Sequence, residues 1–205
     1  MPRRTRDRTA GMVFHVLNRS AKRAVLFEKP FDYRAFVMLL EKAVVRSRIA
    51  LFAYCIMPNH WHLVLAPKTD GAVSSFMHWL TTTHARRWQD AHGSTGLGAV
   101  YQGRFKAFPV ADDWHFLCVC RYVERNPLRA ALVSRAEDWQ WSSLREHDRR
   151  AAWLAEWPVP RPAGWEEHVN LPQTQAELDA IRPSIRNGTA LGNEAWRLPT
   201  PLRSE

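Results

Sequence analysis

The apolar positions of the chain switch between two periods, and the switches mark out its elements. Residues 12–18 (Met-Val-Phe-His-Val-Leu-Asn) have the β-branched and aromatic character of a first strand. Pro30 opens a helix running to about residue 47, in which Phe36, Leu39, Leu40, Ala43 and Val44 recur at helical spacing. Residues 49–56 are nearly all apolar and read as a central strand. Pro58 and Asn59 break the run, and residues 60–66 form the next strand, so the pair predicts an antiparallel hairpin. A second helix spans 70–91, with Val73, Phe76, Met77, Leu80 and Trp88 as its buried stripe. After a Gly- and Ser-containing loop at 92–98, residues 100–110 read as a fourth strand or hairpin arm, with Arg104 and Lys106 on one face and Phe105 on the other. Asp112 is a suitable N-cap for a helix over 113–126, Pro127 limits it, and a short helix follows at 128–133.

The order β-α-β-β-α-β-α predicts an α+β fold, a ferredoxin-like four-stranded antiparallel sheet with packed helices. Residues 1–11 are a basic arm, 12–148 the folded domain, and 149–205 a C-terminal helical and irregular extension. Within that extension, 150–172 are Pro- and Trp-rich, 173–187 form one more helix, and 188–205 are a tail.

Charge narrows the partner. Among 205 residues the net charge is +9, which favours a polyanion, and the ten tryptophans offer stacking surfaces for bases. No apolar run is long enough to span a membrane, and no basic amphipathic helix suggests binding to one. No apolar segment follows the basic N-terminus, so the expectation is a cytoplasmic, nucleoid-associated protein. The three cysteines are then reduced core residues.

The chemistry centres on Met57-Pro58-Asn59-His60-Trp61-His62. On a strand, His60 and His62 share one face and Trp61 takes the other, with the two imidazole bases roughly 7 Å apart. That spacing lets both converge on one divalent metal. A third donor is available from the helix over 113–126, where Tyr122 and Asn126 lie four residues apart and share a face. If that helix crosses the end of the histidine strand, the Asn126 oxygen completes a two-imidazole, one-amide site with Tyr122 beside it. A phenol of pKa about 10 is a poor nucleophile at neutral pH until assisted. A divalent ion on a phosphodiester oxygen would orient the phosphorus and stabilise the developing charge. The neutral ligand set suits Mg²⁺ or Mn²⁺ held loosely, because a structural zinc site wants four protein ligands. Each residue also has a plainer reading: Tyr122 as a core-edge aromatic, Asn126 as the helix terminus before Pro127. His15 reads as a strand-face residue, His84 as core-edge, His115 as structural and Glu124 as solvent-facing.

Four segments in order carry a resemblance. Met-Pro-Asn-His-Trp-His-Leu-Val-Leu (57–65), Tyr-Gln-Gly-Arg-Phe-Lys (101–106), Tyr-Val-Glu-Arg-Asn-Pro (122–127) and Trp-Gln-Trp-Ser-Ser (139–143) resemble a REP-associated tyrosine transposase, of the HUH single-strand transposase superfamily. The resemblance covers roughly residues 10–148. It implies a metal-dependent single-stranded DNA endonuclease and strand transferase acting at palindromic hairpin repeats. His60 and His62 become the HUH metal pair, Asn126 the polar ligand, and Tyr122 the nucleophile that forms a 5′-phosphotyrosine and releases a 3′-hydroxyl. Relatives often carry a second tyrosine where this chain has Glu124, which leaves Tyr122 as the nucleophile candidate of this helix. Beyond residue 150 only 188–196 resembles a segment of some relatives, with Ala190 in place of a proline.

Arg104, Lys106, Arg121, Arg125 and the arm residues Arg3, Arg4, Arg6 and Arg8 are the expected DNA phosphate contacts. The alternative on the same fold is a DNA- or RNA-hairpin binder that no longer cleaves. A conventional metallohydrolase would want a carboxylate base beside the metal, and neither Asp112 nor Glu124 is suitably placed. Either a monomer or a homodimer fits the sequence.

Overall fold

A computed structural model describes residues 9–148 and 151–187. The expected arm residues Arg3, Arg4, Arg6 and Arg8, and the segment 188–196, lie outside them. Four strands, β1 (Phe14–Arg19), β2 (Ile49–Met57), β3 (His60–Pro67) and β4 (Lys106–Pro109), form one sheet in the order β2-β3-β1-β4. Every neighbouring pair is antiparallel. The helices α1 (Pro30–Arg46) and α2 (Ala72–Ala91) make the crossovers from β1 to β2 and from β3 to β4. This is the ferredoxin-like topology expected from the element order.

The turn between β2 and β3 is held from outside: Ser20 donates to the Asn59 carbonyl (3.0 Å), and Leu26 and Phe27 both donate to that of Pro58 (2.7 and 3.0 Å). The start of β3 is thereby fixed against the end of β1, where Arg19 pairs with His60.

Strand alternation divides β3 between two cores. Trp61, Leu63 and Leu65 pack with Phe36 and Leu40 of α1 and Phe76 and Leu80 of α2. Trp61 is fully buried and donates to the Tyr101 hydroxyl (3.3 Å), so its truncation to alanine would cost about 3–5 kcal/mol. Val64 and Ala66 enter a second core with Phe116, Val119 and Val123 of α3 (Asp113–Glu124). Helices therefore cover both faces of the sheet. The face carrying His62 is the one that meets α3.

Three expectations are corrected. The fourth strand is only Lys106–Pro109; Tyr101 makes an isolated bridge to Ser20. The backbone at Val100 and Gln102 still pairs with Ala21 and Arg19 (2.8 and 2.9 Å), and the ladder is interrupted by the bend over residues 102–104 before it resumes at Lys106. The helix expected over 113–126 stops at Glu124, and α4 (Asn126–Arg129) follows after Arg125. Arg125 keeps helical φ/ψ, so the four-residue stacking of Tyr122 and Asn126 survives the break. Beyond α5 (Ser143–Asp148), the Pro- and Trp-rich stretch expected to be irregular contains α6 (Trp165–Asn170) before α7 (Gln175–Asn187).

Trp157, Val159, Trp165, Val169 and Ile181 of this stretch join the core of α3. Several indoles are committed to the fold rather than open to bases. Trp88, Trp139 and Trp157 donate to the carbonyls of Leu26, Ile56 and Phe52 at 2.7, 2.9 and 3.0 Å.

Candidate metal and tyrosine centre

His60 and His62 stand on one face of β3 with ring centroids 5.0 Å apart and planes at 84°. Each is oriented through its Nδ1. That of His60 donates to Asn59 Oδ1 (2.7 Å), and that of His62 meets His15 Nε2 (2.9 Å). Burial, followed by the charges of Arg19 and Arg129, lowers His60 to about 4. Burial and its neighbours, His60 first, hold His62 well below the usual imidazole range. Both rings are therefore neutral at physiological pH, the form in which imidazole binds metal.

Tyr122 enters the same space from α3. It is 6% exposed, and its ring stands edge-on to His62 (5.9 Å) and to His15 (6.1 Å). Asn126 follows one turn later, 1% exposed, with its Nδ2 buried and unpartnered. Arg129 ties the two together. Its Nη2 donates to Asn126 Oδ1 (2.9 Å) and Tyr122 Oη (3.3 Å), and its guanidinium lies 4.8 Å over the Tyr122 ring. The sequence reading missed Arg129. Its spacing, three residues after Asn126 and seven after Tyr122 on a helical path, was the available signal.

The donor set fits a divalent cation. Two neutral imidazoles held by Nδ1 keep Nε2 as their remaining nitrogen, and the buried Asn126 amide lies one turn from the tyrosine with its Oδ1, the atom that could ligate, accepting from Arg129. Among the described residues no cluster of three or more His, Cys, Asp or Glu has the arrangement of a metal site.

The elements that aim α3 are also visible. Asp112 caps it, accepting from the His115 amide (2.7 Å), while His115 Nδ1 accepts from the Ala111 amide (3.0 Å), in keeping with a structural role for that histidine. Glu124, expected to face solvent, is fully buried. Its carboxylate accepts from Ser143 Oγ and Trp165 Nε1, both at 2.7 Å. It anchors the helix to the C-terminal stretch and stands away from solvent because that stretch covers it.

Arg121 is likewise corrected. It is 3% exposed, pairs with Glu177 (2.6 Å), and donates to the carbonyls of His168, Leu171 and Pro172. With four of its five N–H donors engaged and its side chain buried, this guanidinium is not presented to a phosphate. Although burial pushes the Glu177 carboxyl up, hydrogen bonds from Thr174 and Arg121 hold it below the usual range. Arg125 directs Nη1 at the Val169 and Asn170 carbonyls (3.3 and 3.1 Å). Arg104 and Lys106 are exposed. Arg104 lines a groove of ≈ 1030 Å³ with Asn18, His78, Arg86 and Gln89, between α2 and the segment before β4.

Comparison with known proteins agrees with this fold. The family described as IS200-like transposases matches residues 9–126, from shortly before β1 to the asparagine of the site. A structure of a REP-associated tyrosine transposase bound to a REP hairpin superposes with a TM-score of 0.58 at 19% identity, covering 81% of this chain and 95% of that one. A crystal structure from Deinococcus radiodurans R1, provisionally assigned as a transposase, covers 76% of this chain and 100% of its own at 14% identity and a TM-score of 0.43. None of the curated proteins compared with the chain matches it. No helix among the described residues is long and apolar enough to cross a membrane. The family match spans more than half of the sequence: the chain belongs to the IS200-like transposases.

Proposed function

We propose that this transposase cleaves and rejoins single-stranded DNA beside palindromic hairpins, with Tyr122 as nucleophile and His60, His62 and Asn126 as ligands of a Mg²⁺ or Mn²⁺ ion. The observation that carries the reading is the convergence of a buried tyrosine on two neutral, Nδ1-anchored histidines. When bound, the ion supplies Lewis-acid polarisation of the scissile phosphate.

Tyr122 Oη attacks the phosphorus, forming a tyrosyl–O–P bond as the bond to the 3′-oxygen breaks. The proton lost by the phenol is balanced by the one the leaving 3′-oxygen gains. The DNA then carries its 5′-phosphate on Tyr122, and a 3′-hydroxyl is free. Attack by another 3′-hydroxyl reverses the step. The diester bond energy is conserved throughout, so rejoining requires no nucleotide cofactor. Arg129 holds the phenolic oxygen and Asn126 in register, and its charge favours the anionic oxygen that forms when the tyrosine leaves. Glu124 and Arg121 act at a distance by fixing the helix that carries Tyr122. Exposed Arg104 and Lys106, with the arm residues Arg3, Arg4, Arg6 and Arg8, bind the DNA backbone. A hairpin partner is supported by the REP hairpin bound in the structurally similar transposase.

The test is cleavage of end-labelled hairpin oligonucleotides from repeats flanking the gene, with Mg²⁺, Mn²⁺ or EDTA. The reading expects cation-dependent cleavage that leaves a 3′-hydroxyl and is lost in His60→Ala. Tight hairpin binding with no cleavage in any cation would make the protein a non-cleaving binder instead.

A further inference from the structure

We infer that His15 is a positioning residue, which fixes the tautomer of His62 and so turns the lone pair of its Nε2 towards the ion. The inference rests on the reading of His60 and His62 as a metal pair, and adds a residue from a different strand. His15 lies on β1 opposite Val64, diagonal to His62, which pairs with Leu17. Diagonal neighbours on adjacent antiparallel strands are within reach of long side chains.

The contact has the geometry of a hydrogen bond rather than of ring stacking. The planes are within 25° of parallel with centroids 5.1 Å apart, yet the two nitrogens are only 2.9 Å apart. The rings therefore lie side by side, edge to edge. His15 is 3% exposed and wedged between Phe108 and Tyr122, each 6.1 Å away by centroid, so it has little freedom to turn aside.

A single proton lies between the two nitrogens, and its owner decides what His62 can do. If His15 Nε2 holds it, a neutral His62 carries its own proton on Nε2 and cannot ligate through that atom. If His62 Nδ1 holds it and donates to His15, the lone pair of His62 Nε2 is open. The second arrangement requires His15 to be the Nδ1–H tautomer, an acceptor at Nε2. His60 is set the same way by a simpler device, because Asn59 Oδ1 can only accept. Both histidines of the pair thus have their tautomer imposed through Nδ1, one by an amide oxygen and one by a second imidazole.

Two measurements test this on the full-length protein. Long-range ¹H–¹⁵N spectra of the cation-free protein at neutral pH report each tautomer directly. The expected result is a protonated Nδ1 and bare Nε2 on His62, with a protonated Nδ1 on His15; a protonated Nε2 on His62 would overturn the inference. In parallel, Mn²⁺ titration by electron paramagnetic resonance compares wild type, His15→Gln, which keeps an acceptor, and His15→Phe, which fills the space without one. Affinity should fall about 10–100-fold in His15→Phe. It should stay near wild type in His15→Gln, with hairpin binding in EDTA unchanged in both. Wild-type Mn²⁺ affinity in His15→Phe would sink the positioning role alone. A wild-type protein that binds no Mn²⁺ would instead sink the metal reading itself. Should His15→Phe fail to fold, the spectra of the wild type still decide.

Discussion

Tyr122 stands edge-on to His62, with centroids 5.9 Å apart and planes perpendicular, although the two residues belong to a helix and a strand far apart in sequence. The contact exists because β3 turns His62 towards α3 while α3 is pinned on its far side by Glu124 and Arg121. Its consequences can be measured.

Arg129 is the first. It is exposed and donates to both Tyr122 and Asn126. A hydrogen bond from a charged donor contributes about 1.5–3 kcal/mol, so Arg129→Met should slow single-turnover cleavage roughly 10–100-fold. Its stability should fall by about 1–3 kcal/mol, because buried Asn126 Oδ1 loses its donor, so the rates are compared at a temperature where both proteins are folded. An unchanged cleavage rate would remove Arg129 from the chemistry.

Arg121 and Arg104 should separate stability from DNA affinity. Arg121→Met leaves Glu177 without its cation and three carbonyls without a donor. Breaking a buried pair in this way costs about 3–5 kcal/mol, and the urea midpoint should drop accordingly. Arg104→Ala should leave the midpoint alone and lower the slope of log affinity against log salt by about 0.9, the loss of one phosphate contact. A salt slope that changed in a still-folded Arg121→Met protein would restore that residue as a DNA contact.

The arm makes a similar prediction. A protein lacking residues 1–8, which include four arginines, should show a flatter salt dependence of hairpin binding with cleavage chemistry intact. Unchanged salt dependence would assign the arm no electrostatic part in binding.

Acid stability follows from His84. Burial lowers it to about 3, outweighing the raising influence of Asp32, and it accepts from the Tyr101 hydroxyl (2.7 Å). An unfolded histidine titrates near 6.5. Between about 6.5 and 3 the unfolded chain therefore binds a proton that the folded chain does not, and stability falls as the pH falls. The loss approaches about 1.4 kcal/mol per pH unit for this one group. Urea midpoints at pH 7.5, 6 and 5 should decline, and more shallowly in His84→Gln. An equal decline in the variant would shift the cause to other histidines.

The reach of the sequence follows the range of the interactions. Strand alternation is local, so the shared face of His60 and His62 could be read from two residues and their spacing. The stacking of Tyr122 and Asn126 is equally local, a matter of helical repeat, and it persists although α3 ends between them. The ferredoxin-like order of elements was legible for the same reason. Features set by distant packing were not. Glu124 is polar and looks solvent-facing until Trp165, forty-one residues later, covers it and bonds to it. Arg121 looks like a phosphate contact until Glu177 and the carbonyls ending α6 surround it. His15 gains its partner only from the register of β1 on β3, which no spacing within β1 reveals. The inward hydroxyl of Tyr101 has the same origin, since its partners His84 and Trp61 stand on other elements.

The most direct test of the central claim is the covalent link. Wild type and Tyr122→Phe would be incubated with a single-stranded hairpin oligonucleotide and Mn²⁺, digested, and the peptides read by mass spectrometry. The account predicts a nucleotide-bearing peptide with the modification on Tyr122, absent in Tyr122→Phe and absent in EDTA. Cleaved DNA with no adduct, or an adduct that persists in Tyr122→Phe, would contradict it.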